Sequence, residues 1–464
     1  MNSKNSLLAR LGGGLAAWAE RWFPDSFVFA LLATLIVFAA GLALRVPALD
    51  LVGYFGEGFW GLTTFTLQMV MVVIGGYVVA SSPPAHRLIH WLSTLPSSPR
   101  GAVALVAFVS TSSSLISYGF SLIFAGFLAR EIAARMRGVD YQALGAAAYL
   151  GLGSIWALGL SSSPALMMAT PSSIPPALLK ISGVIPLTQT IYAWQSLATA
   201  LILLVASVLI AYFSAPVGHM ARTADSLGVA LKSEERPEEK NASSRPGEWL
   251  ENKPYLTIVV VLIGVVFLLR VVAQKGLLAA LDLNIYNFMF LMLGLALHGT
   301  PRSFTRAVSA AVPATSGIII QFPFYAGIFG IISYSPISHK LAEVFVSVST
   351  KDTYPILVSV YSAILGLFVP SGGGKWLIEA PYLLAASADL QVNLGWTVQI
   401  YNAAEALPNL INPFWMLPLL GILGLKSRDL VGYGLLQLLI HVPLVLALMW
   451  IFSRTLPYLP PIFP

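Results

Sequence analysis

Three ionisable side chains fall inside long apolar stretches of the sequence: Lys375, Glu379 and Glu405. If those stretches lie in a membrane, each charge is expensive and is a functional candidate by default. Lys375 can pair with Glu379 one helical turn on, or it can attract an anion. Glu405 can carry a proton or a cation, or pair with a buried base. Immediately before the lysine stands Val369-Pro370-Ser371-Gly372-Gly373-Gly374, and Trp376 follows it. Consecutive glycines after a proline read as unwound backbone, which survives at membrane depth only when buried in protein or lining a cavity. The bland alternative is a glycine-rich kink between two ordinary helices.

Other polar residues recur at comparable breaks. Ser112, Ser113 and Ser114 lie in the run Ser110–Ser114, with Tyr118 just after it. Ser161, Ser162 and Ser163 precede Pro164, Gln321 precedes Phe322-Pro323, Asn409 follows Pro408 and Asn412 precedes Pro413. Hydroxyls, amides and free N–H groups at a helix start are neutral donors suited to a carboxylate. They equally serve to satisfy the backbone of kinked helices.

These residues need long apolar elements to hold them, and composition supplies such elements. Of 464 residues 57% are hydrophobic and 10% charged, against about 25% charged in soluble domains, and the mean hydropathy is +0.79. The expected fold class is an all-α polytopic membrane protein. The net charge of +6 sits in loops, as the positive-inside rule expects, and does not point to nucleic acid. Without cysteine, thiolate catalysis and cysteine metal sites are excluded. The six histidines, His86, His90, His219, His298, His339 and His441, form no H-E-x-x-H pair, and no nucleophile elbow has a placed His–Asp pair. Neither a metal nor a cofactor is expected, and the enzyme class is set aside. A channel lacks a repeated filter or charge ring.

Residues 1–25, with Arg10, Trp18, Glu20, Arg21 and Trp22, read as an amphipathic helix lying in the membrane interface. Residues 26–215 form a first membrane repeat and 254–464 a second, joined by a charged cytoplasmic linker over 216–253. Residues 101–129 carry basic residues at both ends and a polar break between, so the chain enters and leaves on one side as a re-entrant hairpin. The segment 355–386 is its counterpart. Residues 141–170 and 394–423 read as broken spans, 45–60 as a connection between spans and 171–186 as an outer loop. Counting sides gives nine spans and two hairpins, with the N-terminus cytoplasmic and the C-terminus periplasmic. Each half reads span, span, hairpin, broken span, span, in opposite orientation. Paired interrupted segments in two halves point to an inverted-repeat transporter with a site near the midplane.

Several of these stretches also resemble the bacterial short-chain fatty acid transporter family. They are Arg21-Trp22-Phe23-Pro24-Asp25, Ala129-Arg130-Glu131-Ile132-Ala133, Ala169-Thr170-Pro171, Gln321 to Gly327, Val369 to Trp376, and Asn412-Pro413-Phe414-Trp415 with Leu417-Pro418. They run in order over nearly the full length. The resemblance implies inner-membrane uptake of acetoacetate, butyrate and similar monocarboxylates, within an ion-transporter superfamily that uses paired hairpins and elevator-like motion. It implies a coupling proton or sodium ion and, by superfamily analogy, a homodimer in lipid. Two positions differ from the family pattern: a His can occupy the Lys375 position, and Gln-Trp can follow the glutamate where this chain has Ala406-Leu407. The expected site puts the carboxylate on Ser371, Gly372, Gly373, Gly374 and the serines of the first tip, near Lys375. The tail packs against Trp376, Tyr118 and Phe322, with Glu405 and Glu379 as coupling groups. A dicarboxylate or amino-acid carrier of the same superfamily is the alternative.

Overall fold

Helix starts in this chain repeat one local pattern, a short polar side chain followed closely by proline or glycine. Ser98, Ser162 and Thr300 each accept a hydrogen bond from a main-chain N–H of the first turn, and each precedes a proline in that turn. Ser371 does the same ahead of three glycines. Such caps satisfy N–H groups that a helix leaves without partners, and proline fits the first turn because it has no N–H to lose. Helix ends at Gly276 and Gly299 adopt φ of 80° and 73°, a conformation that glycine enters without a Cβ penalty.

The computed structural model describes residues 26–231, 246–368 and 371–463. The expected interfacial helix at 1–25, the middle of the linker at 232–245, and Val369-Pro370 lie outside the described residues. Within the described residues the regular structure is helical, apart from an isolated bridge between Gly183 and Ile462. Among the described residues six helices are long and apolar enough to cross a membrane: Thr63–Ala80, Tyr141–Ala169, Trp194–Ser214, Tyr255–Lys275, Pro301–Tyr334 and Ser427–Ser453. Their surroundings differ. Only 11% of the Tyr255–Lys275 window is buried, against 89% for Tyr141–Ala169. The first is a peripheral helix with an apolar outer face, and the second runs through the core.

Two helical hairpins organise that core. Pro99–Ser114 and Tyr118–Arg135 form the first, joined by a three-residue turn. Tyr354–Phe368 and Gly372–Asp389 form the second. Its antiparallel course is fixed by cross-pairs: the Tyr354 hydroxyl donates to the Leu383 carbonyl at 2.6 Å, the Tyr361 and Tyr382 hydroxyls lie 2.9 Å apart, and the Ser362 hydroxyl donates to Glu379 Oε2. The helix through residues 141–170 is interrupted. An α-helix at Tyr141–Leu150 becomes a π-helical turn at Gly151–Ile155, then a 3-10 turn at Trp156–Leu158, and helix resumes at Ser163–Ala169. The later interrupted pair is Leu394–Asn409 and Pro413–Leu423.

Three segments differ from the sequence expectation. Residues 45–60, expected as a connection, contain the helix Ala48–Trp60, which packs closely on Ser316–Tyr334. Asp50, Glu57 and three glycines made it look like a loop, but a glycine on each helix makes the contact. A Cβ on Gly58 would lie 2.5 Å from the Ala326 carbonyl oxygen, and one on Gly330 would lie 2.2 Å from that of Tyr54. Small residues let helices in a membrane approach backbone to backbone. The outer loop expected over 171–186 holds a short helix, Pro176–Ser182. The linker expected as free chain from 216 begins packed on the protein. The Arg222 N–H donates to Asp140 Oδ2 at 2.8 Å, and Ala224 is buried. Burial of the Asp140 carboxyl raises its pKa, against the lowering effect of the N–H groups of Arg222 and Ala143.

Candidate functional site

The start of the Gly372–Asp389 helix is enclosed by aromatic rings because its first residues have no side chains. A Cβ on Gly372 would lie 2.4 Å from the Trp156 ring, one on Gly373 3.1 Å from Phe65, and one on Gly374 2.4 Å from Tyr325. A second layer backs these rings. Tyr118 meets Trp156 edge-on with centroids 5.6 Å apart, and Phe322 stacks on Phe65 at 5.8 Å. The Tyr401 hydroxyl donates to the Gly372 carbonyl at 2.6 Å, and its ring packs on Trp376 at 4.8 Å. The glycine triplet, Trp376, Tyr118 and Phe322, chosen separately from sequence, thus share one enclosure.

One turn beyond the glycines lies the charge cluster. Lys375 Nζ stands 3.0 Å from Glu379 Oε1 and 2.8 Å from Glu405 Oε2. It donates to the Ser362 carbonyl at 2.8 Å and lies 4.3 Å from the centre of the Tyr401 ring. Lys375 and Glu379 are 0% exposed and Glu405 is 1% exposed. The pairing of Lys375 with Glu379 and that of Glu405 with a buried base, each one of two alternatives left open by the sequence, are joined in one arrangement, since the lysine bridges both glutamates. Glu405 Oε1 has no hydrogen-bond partner among the described residues. Gly366 lies beside the cluster: a Cβ there would sit 3.1 Å from Glu405 Oε2 and 2.8 Å from Pro408.

The serines of the first hairpin are engaged differently. The Ser114 hydroxyl donates to the Gly151 carbonyl at 2.7 Å and the Ser113 hydroxyl to that of Val109. The Ser110 hydroxyl donates to Ala148 and accepts from the Gly151 N–H, while Ser121 donates to the Ser110 carbonyl. Ser161 donates to the Ser114 carbonyl. These bonds serve the backbone freed by the π-helical turn, the bland role weighed for the serine runs. Ser112 is partly exposed. Ser162 caps the Ser163–Ala169 helix, and Ser163 faces Gly373. Gln321 accepts from the Tyr325 hydroxyl at 3.3 Å. Asn412 is buried beyond the end of the Leu394–Asn409 helix.

On the elements that carry the glycines and Glu405 and the helix break beside them, the buried donors Trp156 Nε1, Trp376 Nε1 and Asn409 Nδ2 have no hydrogen-bond partner among the described residues. Trp156 touches the Gly372 position, Trp376 lies one turn further along that helix, and Asn409 one turn beyond Glu405. Sequence reasoning missed Trp156, Ser362 and Tyr401. Tyr401 sits four residues before Glu405, a spacing that places them on one face. No local signal marks Ser362, because its role comes from the pairing of the hairpin arms. Among the described residues no group of three or more His, Asp or Glu side chains could hold a metal ion.

An all-helical membrane protein with interrupted helices and buried charges at their breaks belongs to the class of integral membrane transporters. Within that class the chain belongs to the short-chain fatty acid transporter family, whose sequence pattern matches residues 7–452. It is 34% identical over 438 residues to an Escherichia coli K12 protein, covering 93% of this chain and 97% of that one. It is 32% identical over 446 residues to a Haemophilus influenzae protein, covering 94% and 98%. Both are named provisionally as short-chain fatty acid transporters. The fold is similar to that of the Alcanivorax borkumensis YdaH transporter, whose crystal structure is described as having an unusual topology. The TM-score is 0.57 at 18% identity, covering 94% of this chain and 99% of that one. It is also similar to Neisseria gonorrhoeae MtrF, described with a class of antimetabolite efflux pumps. There the TM-score is 0.57 at 14% identity, covering 98% and 100%.

Proposed function

We propose that this chain carries short-chain monocarboxylates such as butyrate and acetoacetate across the bacterial inner membrane, coupled to a cation and by alternating access. The observation that carries this reading is the pair of buried N–H donors on Trp156 and Trp376 beside the Gly372 joint, with Asn409 beyond Glu405 on the neighbouring helix, none with a hydrogen-bond partner among the described residues. A buried donor without an acceptor costs about 1–3 kcal/mol. A bound carboxylate would supply acceptors, and the free N–H groups at the capped start of the Gly372–Asp389 helix favour an anion further. The rings of Phe65, Tyr118, Phe322 and Tyr325 would offer an apolar wall to a short alkyl tail. Ser163 and Ser371 flank this seat.

The reading includes two inverted repeats. Pro83–Leu92 packs on the second arm of the first hairpin, as Ile337–Val348 packs on the second arm of the second. Pro99–Ser114 packs on the first interrupted helix, as Tyr354–Phe368 packs on the second. The hairpins and interrupted helices then form the moving unit of an elevator, against a scaffold that includes Thr63–Ala80 and Ser316–Tyr334. Arg130, Arg135 and Arg137 set the cytoplasmic side, which leaves the C-terminus periplasmic.

Counterflow of radiolabelled butyrate in proteoliposomes, corrected with protein-free vesicles, tests this reading. Accelerated exchange that butyrate and acetoacetate compete for, and succinate does not, is the expected outcome. Competition by succinate alone would move the chain to dicarboxylates. The fold shared with an efflux pump supports outward transport as the alternative direction. Comparing net flux in vesicles of defined orientation decides between the two.

A further inference from the structure

The Lys375 ammonium stands among oxygen ligands. Two carboxylate oxygens, Glu379 Oε1 at 3.0 Å and Glu405 Oε2 at 2.8 Å, and the Ser362 main-chain carbonyl at 2.8 Å surround it, with the Tyr401 ring on a further side. Carboxylates and main-chain carbonyls beside an interrupted helix are the donors that transporters offer to sodium. Here the seat is filled by a cation bonded to the chain.

Charge counting adds a second constraint. Two carboxylates face one ammonium in a site that is 1% exposed or less at all three residues, so the cluster with all three ionised carries one uncompensated negative charge. The other titratable groups facing it are tyrosines: Tyr325 from Ser316–Tyr334, Tyr354 and Tyr361 from Tyr354–Phe368, Tyr382 from the cluster's own helix and Tyr401 from Leu394–Asn409. Among the described residues no other basic side chain forms an ion pair with either glutamate. Glu379 is held by both Lys375 and the Ser362 hydroxyl. Glu405 is held by Lys375 through Oε2, and Oε1 has no hydrogen-bond partner among the described residues.

We propose that Lys375 is a tethered cation occupying the seat of a coupling sodium ion, so that this carrier is coupled to a proton taken up on Glu405 and does not use sodium. The inference rests on the carboxylate-carrier reading above. The step balances as follows. A proton from the water on one side binds Glu405 Oε1 and makes the cluster neutral. The bound monocarboxylate brings one negative charge, so loaded and empty forms carry the same charge. On the other side carboxylate and proton leave together, and a one-to-one cycle moves no net charge.

The test titrates the purified full-length protein with butyrate by calorimetry at neutral pH. Buffers of two different ionisation enthalpies are used, each in sodium chloride and in choline chloride. Butyrate is ionised at that pH, so proton uptake belongs to the protein. About one proton taken up per butyrate is expected, with equal affinity in both salts. Wild-type affinity that rises tenfold or more in sodium, with no proton uptake, overturns the proposal. Glu405→Gln should bind butyrate without proton uptake, and unchanged uptake in that variant also overturns it. Lys375→Gln opens the seat, and its binding should become at least tenfold tighter in sodium than in choline, a difference of about 1.4 kcal/mol. If Lys375→Gln does not fold, the wild-type and Glu405→Gln titrations still decide. Absence of butyrate binding under every condition overturns the carboxylate-carrier reading itself, and this inference with it.

Discussion

Around the joint of the first hairpin, the polar groups of Ser110, Ser113, Ser114 and Ser121 are neutral and each serves a main-chain carbonyl nearby. Its two arms pack closely on each other. In the second hairpin the arms stand further apart, and side chains span the gap: Tyr354 to Leu383, Tyr361 to Tyr382, Ser362 to Glu379, and Lys375 back to Ser362. Lys375, Glu379 and the neighbouring Glu405 are ionisable. Hydroxyl-to-carbonyl bonds hold one fixed geometry and change little with pH or salt. A lysine shared by two carboxylates has alternative arrangements, because either glutamate can be released when it is neutralised. The first hairpin is therefore suited to support, and the second to respond.

Changes that break the second hairpin should have the largest effects. Lys375→Ala leaves two buried carboxylates without a counter-charge, and removing one partner from a buried pair costs about 3–5 kcal/mol. Thermal unfolding should show a large loss, and butyrate counterflow should vanish. If Lys375→Ala melts as the wild type does, the cluster is not ionised as described. Gly374→Ala pushes a methyl into the Tyr325 ring and should cost about 1–3 kcal/mol while strongly reducing counterflow. In the first hairpin, Ser114→Ala removes one bond to the Gly151 carbonyl and should cost about 1 kcal/mol, with counterflow retained once expression is normalised. Loss of counterflow in Ser114→Ala at normal stability would erase the contrast between the hairpins and make Ser114 a ligand. Smallest of all is Glu343, on an exposed helix, where Lys340 chiefly and His339 hold its carboxyl below the usual carboxylate range. Such a depressed carboxylate adds stability above the ordinary carboxylate range and loses it as pH falls through the lowered value. Glu343→Gln should therefore give no resolvable change in melting temperature at neutral pH, as exposed pairs contribute little.

Much of the fold was legible because membrane segments announce themselves by length and apolarity, and glycine or proline inside them has few explanations. The interrupted helices at 141–170 and 394–423 and the pairing of Lys375 with Glu379 could be read that way. The helix Ala48–Trp60 could not, since glycines that let it lie flat on Ser316–Tyr334 also look like loop residues. The bridging of Lys375 to Glu405 was hidden for another reason. It joins residues thirty positions apart by sequence count, and only the packing of two helices brings them together. The serines of the first tip could be named but not assigned, because a hydroxyl that satisfies a π-helical turn and one that waits for a ligand look alike in sequence.

The exposed helix Tyr255–Lys275 has a consequence for the molecule's surroundings. Its 21 residues rise about 32 Å, close to the roughly 30 Å thickness of a hydrocarbon layer. Lys253 and Lys275 bracket it, and long basic side chains keep their heads in the polar zone. With Ile258, Leu262, Ile263, Val266 and Leu269 facing outward, it acts as a dipstick, fixing how deep the molecule floats. Shorter-chain lipids would tilt this helix before they strained the buried core.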